Sequence, residues 1–217
     1  DSLGQVILGY DSTIPVTMAD MIHHTKAVVR GTEKSHIVAD LPFLTYQASI
    51  DDALYNAGRL LKEGGAQSVK VEGGQKIAST VSQMVDIGIP VMGHIGLLPQ
   101  TSSNFKAKCK NFTQRKKIFD DAIAISNAGV FAIVIECVEE SLAKIISKSI
   151  PIPIIGIGAS KHCDGQILVT DDLLGLSNFT PRFVRKYSNI KKIINESVLR
   201  FRRDVINKNF PSGKNIY

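Results

Sequence analysis

Cysteine is scarce in this 217-residue chain, which holds only Cys109, Cys137 and Cys163. The three form no CxxC pair. An odd, scattered set does not build a disulfide framework, so a reducing compartment and a cytoplasmic address are expected. No apolar run approaches the ~18 residues of a membrane helix; the longest, around VFAIVIECV, is far shorter. No secretory-leader pattern opens the chain as given. No GxGxxG opens a helix either, and the GxG within GIGAS is too weak to argue for a dinucleotide site. Cysteine and histidine are nowhere spaced for zinc: His162-Cys163 lacks further ligands and is expected in a turn, and His23-His24 fall in an expected helix.

Excess charge is also absent from most of the chain. The net charge is +6, yet residues 182–217 alone carry ten basic and two acidic side chains, leaving 16 basic and 18 acidic in the rest. The basic character therefore belongs to the tail. Ile190, Ile193, Ile194, Val198, Phe201 and Val205 recur there at helical spacing, so a helix over about 188–207 is expected, with an apolar face to bury and a solvated basic face. Aromatics are not interleaved for base stacking, so neither a nucleic-acid nor a membrane partner is expected.

What the chain does have is an alternation. Short apolar runs at 35–43, 68–74, 89–96, 130–138, 150–160 and 164–170 are separated by helical patterns at 49–65, from Ile77 to Gly88, from Ile118 to Gly129 and at 139–149; an earlier helix spans about Thr17 to Arg30. Ser49 is a candidate N-cap, with Gly64 or Gly65 as the stop. Strands that are apolar throughout and alternate with helices predict a parallel sheet covered on one face. Unbroken alternation favours a (β/α) barrel, with a doubly wound sheet as the alternative. A single domain over 1–217 is the simplest count.

Four of these runs carry an ionisable group near the C-terminal end: Asp40, Lys70 with Glu72, His94 and Glu136. In a parallel barrel those ends share one face, where active sites are built. Buried charge is costly unless paired or metal-bound, so a shared site is expected. Asp40 and Glu72 offer hard oxygen ligands, which favours Mg²⁺ over Zn²⁺. Lys70 suits a substrate carboxylate. Glu136, among apolar neighbours, suits a base, and His94 an orienting or proton-shuttling group. Such a set points to proton abstraction beside a carbonyl.

The segments DSLG (1–4), GYDSTIPVT (9–17), HTKAVVRG (24–31), ADLPF (39–43), VKVEGG (69–74), GHIGLLPQ (93–100), ECV (136–138), IPIIGIGA (152–159) and DGQILV (164–169) occur in the order found in ketopantoate hydroxymethyltransferases. To about Arg185, the chain resembles that family. The resemblance implies a (β/α)8 TIM-type barrel, here lacking the first strand, first helix and most of the second strand. It implies hydroxymethyl transfer from 5,10-methylenetetrahydrofolate to 3-methyl-2-oxobutanoate, giving 2-dehydropantoate on the way to pantothenate. It further implies Asp1, Asp40 and Glu72 about a Mg²⁺ ion, with Asp1, Ser2, Asp40 and Lys70 at the keto acid. Glu136 is then the base, and His94 lies near the reacting end. A homo-oligomer is implied, with a decamer the size the family suggests.

Two departures accompany it. After GLLPQ the family carries a glycine-containing loop resembling GGYKVQG, where this chain reads TSSNFKAKCKNFTQRKK. The chain also opens on Asp1, so a fragment or processed product is expected, with roughly 45 residues upstream by barrel-unit size. Three rivals follow: a Mg²⁺-dependent lyase or mutase of the isocitrate lyase type, whose cysteine loop resembling KKCGH is absent; an inactive relative; and a nucleic-acid module built on the basic tail.

Overall fold

The computed structural model describes residues 1–102 and 111–217. Cys109 and the centre of the 101–117 stretch lie outside the described residues. The described chain forms two compact units, Asp1–Ile167 and Leu168–Tyr217.

In the first unit, α1 (Leu3–Val6) and α2 (Met18–Arg30) precede β1 (Val38–Asp40). Then follow α3 (Ile50–Lys62), β2 (Ser68–Glu72), a short 3-10 turn (Gln75–Ile77), α4 (Ala78–Asp86), β3 (Val91–Gly96), α5 (Phe112–Asn127), β4 (Ala132–Glu136), α6 (Glu140–Ser149), β5 (Ile154–Ile157) and β6 (Gly165–Gln166). The six strands form one sheet in the order β1-β2-β3-β4-β5-β6. Every pairing is parallel. Spatial order equals chain order, with no reversal at which a doubly wound sheet would change direction.

The helices start where local chemistry dictates. Thr17 and Asp20 form a reciprocal capping box on α2. Ser49 caps α3 by accepting from the Asp52 amide, and Asn111 caps α5 through Gln114. Gly65 ends the α3 turn at φ 78°, and its amide donates to the Leu61 carbonyl. The apolar stripes of α3 to α6 place Leu60, Met84, Ile125 and Ile146 in full burial. They join Val69, Val71, Val91, Ile133, Ile135 and Ile154 of the sheet in one core.

Alternation along each strand sorts the two faces. Val69 and Val71 lie on one side of β2, so Lys70 and Glu72 lie on the other. The opposite face of β3 is fixed by Gly93: a Cβ there would stand 2.4 Å from the Ile125 side chain of α5. Gly93 thus faces the helices, and His94 faces away. The register then aligns Asp40 with Lys70, Glu72 with His94, and Gly96 with Glu136. The charged strand ends share a face and step along it, from Asp40 and Lys70 through Glu72 and His94 to Glu136.

Some elements differ from the sequence reading. The last expected strand, 164–170, is only Gly165–Gln166, and residues from Thr170 turn into α7 (Thr170–Leu174). The DSLG segment forms the single turn of α1 rather than the end of a strand. In the second unit, α8 (Ile190–Ile206) falls where a basic helix was expected. It has no buried residue, and Ile193, Ile194, Val198, Phe201 and Val205 stand exposed.

Candidate active site

Asp40 ends β1. Lys70 Nζ lies 3.2 Å from Asp40 Oδ1, and the Asp1 backbone nitrogen lies 2.6 Å from Oδ2. Burial pushes the Asp40 carboxyl up, but the Lys70 ammonium and the hydrogen bonds the group accepts outweigh it and hold it well below the usual carboxylate range. Burial likewise disfavours the charged Lys70, yet Asp40 and Glu72 keep its ammonium above the ordinary lysine value. A fixed carboxylate and a fixed ammonium therefore face each other at neutral pH.

Lys70 Nζ also lies 3.4 Å from His94 Nδ1. The same ring continues the chain of contacts: Nδ1 is 3.9 Å from Glu72 Oε1, and Nε2 is 3.1 Å from Glu136 Oε2. The second distance is that of an ion pair when the ring is protonated, and Nε2 is buried without a hydrogen-bond partner. Glu72 Oε1 is also buried and unpartnered. Its burial raises the carboxyl above the ordinary value more than Lys70 and His94 lower it. Buried polar groups left without partners are costly and mark places where something else completes the bonding.

Glu136 is buried at the end of a strand whose five residues are all buried. Its carbonyl accepts from Leu97, and the next residue, Cys137, takes φ 51° as its amide reaches Ile157. This turn leaves the Glu136 carboxylate beside His94. Of the residues singled out from sequence, Asp1, Asp40, Lys70, Glu72, His94 and Glu136 form one linked cluster. Ser2 is exposed and bonds to none of them; with Asp1 and Asp40 it lines a recess of about 190 Å³. Glu72 borders a separate cleft of about 670 Å³, between the Gly73-Gly74 turn and α5.

Two residues at the centre of the site escaped the sequence reading. Tyr46 and Gln100 are buried, and both bond to Glu72: the Glu72 amide donates to the Tyr46 hydroxyl at 3.0 Å, and the Gln100 amide donates to Glu72 Oε2 at 3.1 Å. Both are neutral and lie in loops. Gln100 did fall inside the GHIGLLPQ segment, but nothing about its type or spacing announced a role.

Among the described residues, no group of three or more His, Cys, Asp or Glu side chains is gathered as a metal site. The donor chemistry nonetheless fits Mg²⁺. The carboxylates of Asp1 and Asp40 are hard oxygens, as is the unpartnered Glu72 Oε1, and Mg²⁺ commonly takes only one or two protein carboxylates.

The family model for ketopantoate hydroxymethyltransferase matches residues 1–213. Among curated proteins, the 3-methyl-2-oxobutanoate hydroxymethyltransferase of Carboxydothermus hydrogenoformans is 53% identical, over 100% of this chain and 80% of its own length. The enzymes of that name from Clostridium botulinum (strain 657) and Moorella thermoacetica are 52% and 51% identical over 100% of this chain, covering 80% and 82% of their own lengths. Among solved structures, a protein of Burkholderia cenocepacia J2315 designated a phosphonomutase superimposes with a TM-score of 0.51 at 14% identity, covering 65% of this chain and 62% of its own. That likeness bears on the fold alone.

Proposed function

This chain belongs to the ketopantoate hydroxymethyltransferase family, and we propose that the Asp40–Lys70–His94–Glu136 cluster is where it transfers a one-carbon unit to 3-methyl-2-oxobutanoate. The chain is a transferase, acting from 5,10-methylenetetrahydrofolate to give 2-dehydropantoate. The observation that carries the assignment of the site is the convergence itself. Six titratable groups from four strand ends and the first residue meet on one face of the sheet, opposite the helices.

Asp1 and Asp40, with Glu72 beside them, would hold Mg²⁺, which supplies charge stabilisation to a keto acid as its carbonyl gains electron density. The Lys70 ammonium binds the substrate carboxylate, held in place by Asp40. The Glu136 carboxylate accepts the proton from C3 of the keto acid. The C3 electron pair forms a bond to the folate methylene carbon, both of whose carbon–nitrogen bonds to folate are broken in the transfer. Water supplies the new hydroxyl oxygen, and the two freed folate nitrogens take up the C3 proton and one proton of that water. His94, between Glu136 and Glu72, orients the base and carries protons near the reacting carbon.

The finer fold is part of the same proposal. Six parallel strands in unbroken chain order, with catalytic groups at their C-terminal ends, support a (β/α)8-type barrel. The exposed apolar residues of α8 support a homo-oligomer, and sparse cysteine supports a cytoplasmic address. Among the described residues, no helix is long and apolar enough to cross a membrane.

The test is tracing. With Mg²⁺, 3-methyl-2-oxobutanoate and methylene-labelled 5,10-methylenetetrahydrofolate, the label should appear at the new hydroxymethyl carbon of 2-dehydropantoate. Cleavage of the keto acid, or label left on folate, would overturn the reading.

A further inference from the structure

Gln100 makes five hydrogen bonds at this site, two of them to carboxylates of the cluster. Its side-chain nitrogen donates to Asp1 Oδ2 at 2.7 Å and to the Leu41 carbonyl at 2.9 Å. Its side-chain oxygen accepts from the Tyr46 hydroxyl at 2.9 Å and from Gln47 Nε2 at 3.2 Å. A primary amide has two N–H donors and one oxygen with two acceptor positions, so this one is fully used. Its backbone amide, in turn, holds Glu72 Oε2. The residue is 1% exposed.

That pattern fixes the amide's orientation. Turned over, it would set its oxygen against the Asp1 carboxylate and the Leu41 carbonyl, and its NH2 against Gln47 Nε2. Three acceptor–acceptor or donor–donor contacts would replace three bonds. Tyr46 reinforces the arrangement, because its hydroxyl accepts from the Glu72 amide and shares its proton between Gln100 Oε1 and the Glu72 carbonyl. One neutral residue therefore joins two carboxylates that lie 71 positions apart in the chain, Asp1 and Glu72. It bonds one oxygen of each. In Glu72 the oxygen it leaves, Oε1, is the buried unpartnered one.

We infer that Gln100 is a positioning residue, a locked amide that holds the Asp1 and Glu72 carboxylates in the orientation needed for Mg²⁺ and the keto acid. The inference rests on the reading of those two carboxylates as part of the site. A neutral donor suits the task. A lysine would neutralise the carboxylates that the cation requires, and a carboxylate would repel them. Groups that hold metal-binding side chains typically govern affinity or activity by 10–100-fold without touching the metal.

Gln100→Met keeps the length and removes every side-chain bond. Tyr46→Phe removes only the hydroxyl that braces the amide, and serves if the first variant folds poorly. Asp40→Asn is the companion that tests the site itself. Mg²⁺ binding to each metal-free protein is measured by calorimetric titration well below its melting temperature, and KM for the keto acid separately from kcat. Gln100→Met should weaken Mg²⁺ roughly 10–100-fold. Tyr46→Phe should weaken it by a smaller factor, in the same direction. In both, the KM for the keto acid should rise with the loss of metal and fall back at saturating Mg²⁺. A merely structural Gln100 would lower the melting temperature while leaving Mg²⁺ affinity unchanged. Weakening by Asp40→Asn with neither Gln100→Met nor Tyr46→Phe affected would overturn the role of Gln100 alone. Unchanged affinity in all three would overturn the placement of the metal at this cluster.

Discussion

Adding one methyl group at Gly96 should disturb both the fold and the base. Gly96 ends β3 at φ 94°, and a Cβ built there would stand 2.3 Å from the Glu136 carbonyl oxygen and 2.8 Å from the Val138 side chain. Ordinary contact begins near 3.4 Å, so β3 and β4 would have to part by about 1 Å at the corner where the Leu97 amide meets that same carbonyl. The left-handed backbone costs a non-glycine residue roughly 1–2 kcal/mol. Forcing backbone apart in a packed region costs a further 1–3 kcal/mol or so. Gly96→Ala should therefore lose about 2–5 kcal/mol, which for a chain of this size lowers Tm by roughly 5–15 °C. A displacement near 1 Å at a reacting group can cost about a hundredfold in rate. Turnover should drop by that order even at temperatures where the variant is folded. Gly58 is the control. It lies inside α3 with nothing within 4 Å of its would-be Cβ. Gly58→Ala should stabilise by about 0.5–1 kcal/mol. Thermal melts and steady-state turnover on the two variants decide the matter. A Gly96→Ala protein that melts and turns over like its parent would refute the steric reasoning at this corner.

Cys137 is half of another prediction. Burial, helped by the Glu136 carboxylate, raises its thiol to about 11. At pH 8 an alkylating reagent should modify the more open Cys163 and spare Cys137, whose labelling should climb only as pH approaches 11; peptide mapping that finds both equally labelled at pH 8 would contradict this. Asp40 sets an acid-side dependence. Its folded pKa is depressed, so its stabilisation is fully present above the unfolded value near 3.9 and is lost as pH falls below it. Asp40→Asn should cost about 1–3 kcal/mol at neutral pH, and the difference should shrink as pH falls below about 4; a constant gap in denaturant melts across that range would show that the charge is not the cause.

The parts of this fold written in local chemistry were legible. Ser49 announced a helix start because a cap needs only its own next three residues. Lys70 and Glu72 announced a site because a charge inside an apolar run is conspicuous in one dimension. Residues that work through distant neighbours were not. Tyr46 and Gln100 are neutral, sit in loops, and acquire meaning only when Asp1, Leu41 and Glu72 are brought around them. Residues 167–170 misled for a related reason. Ile167, Leu168 and Val169 continue the apolar run of β6, but the ladder stops at Gln166 and the aspartates at 171 and 172 suit the first turn of a helix. The positive φ of Cys137 is likewise a property of its position between β4 and β5, not of its residue type. The apolar stripe of α8 was visible as a face to bury, but its exposure in the described chain was not.

The central claim is that Glu136, seated beside His94, removes the C3 proton. It is tested most directly by leaving folate out. In D₂O with Mg²⁺ and 3-methyl-2-oxobutanoate alone, the protein should exchange the C3 hydrogen for deuterium, observed as loss of its proton resonance. Glu136→Gln keeps the shape and removes the acceptor, and should bring exchange down to the enzyme-free rate while the far-ultraviolet spectrum and Mg²⁺ binding stay as in the parent. Exchange by Glu136→Gln at the parental rate would contradict the account, and would mean that another group in the cluster is the base.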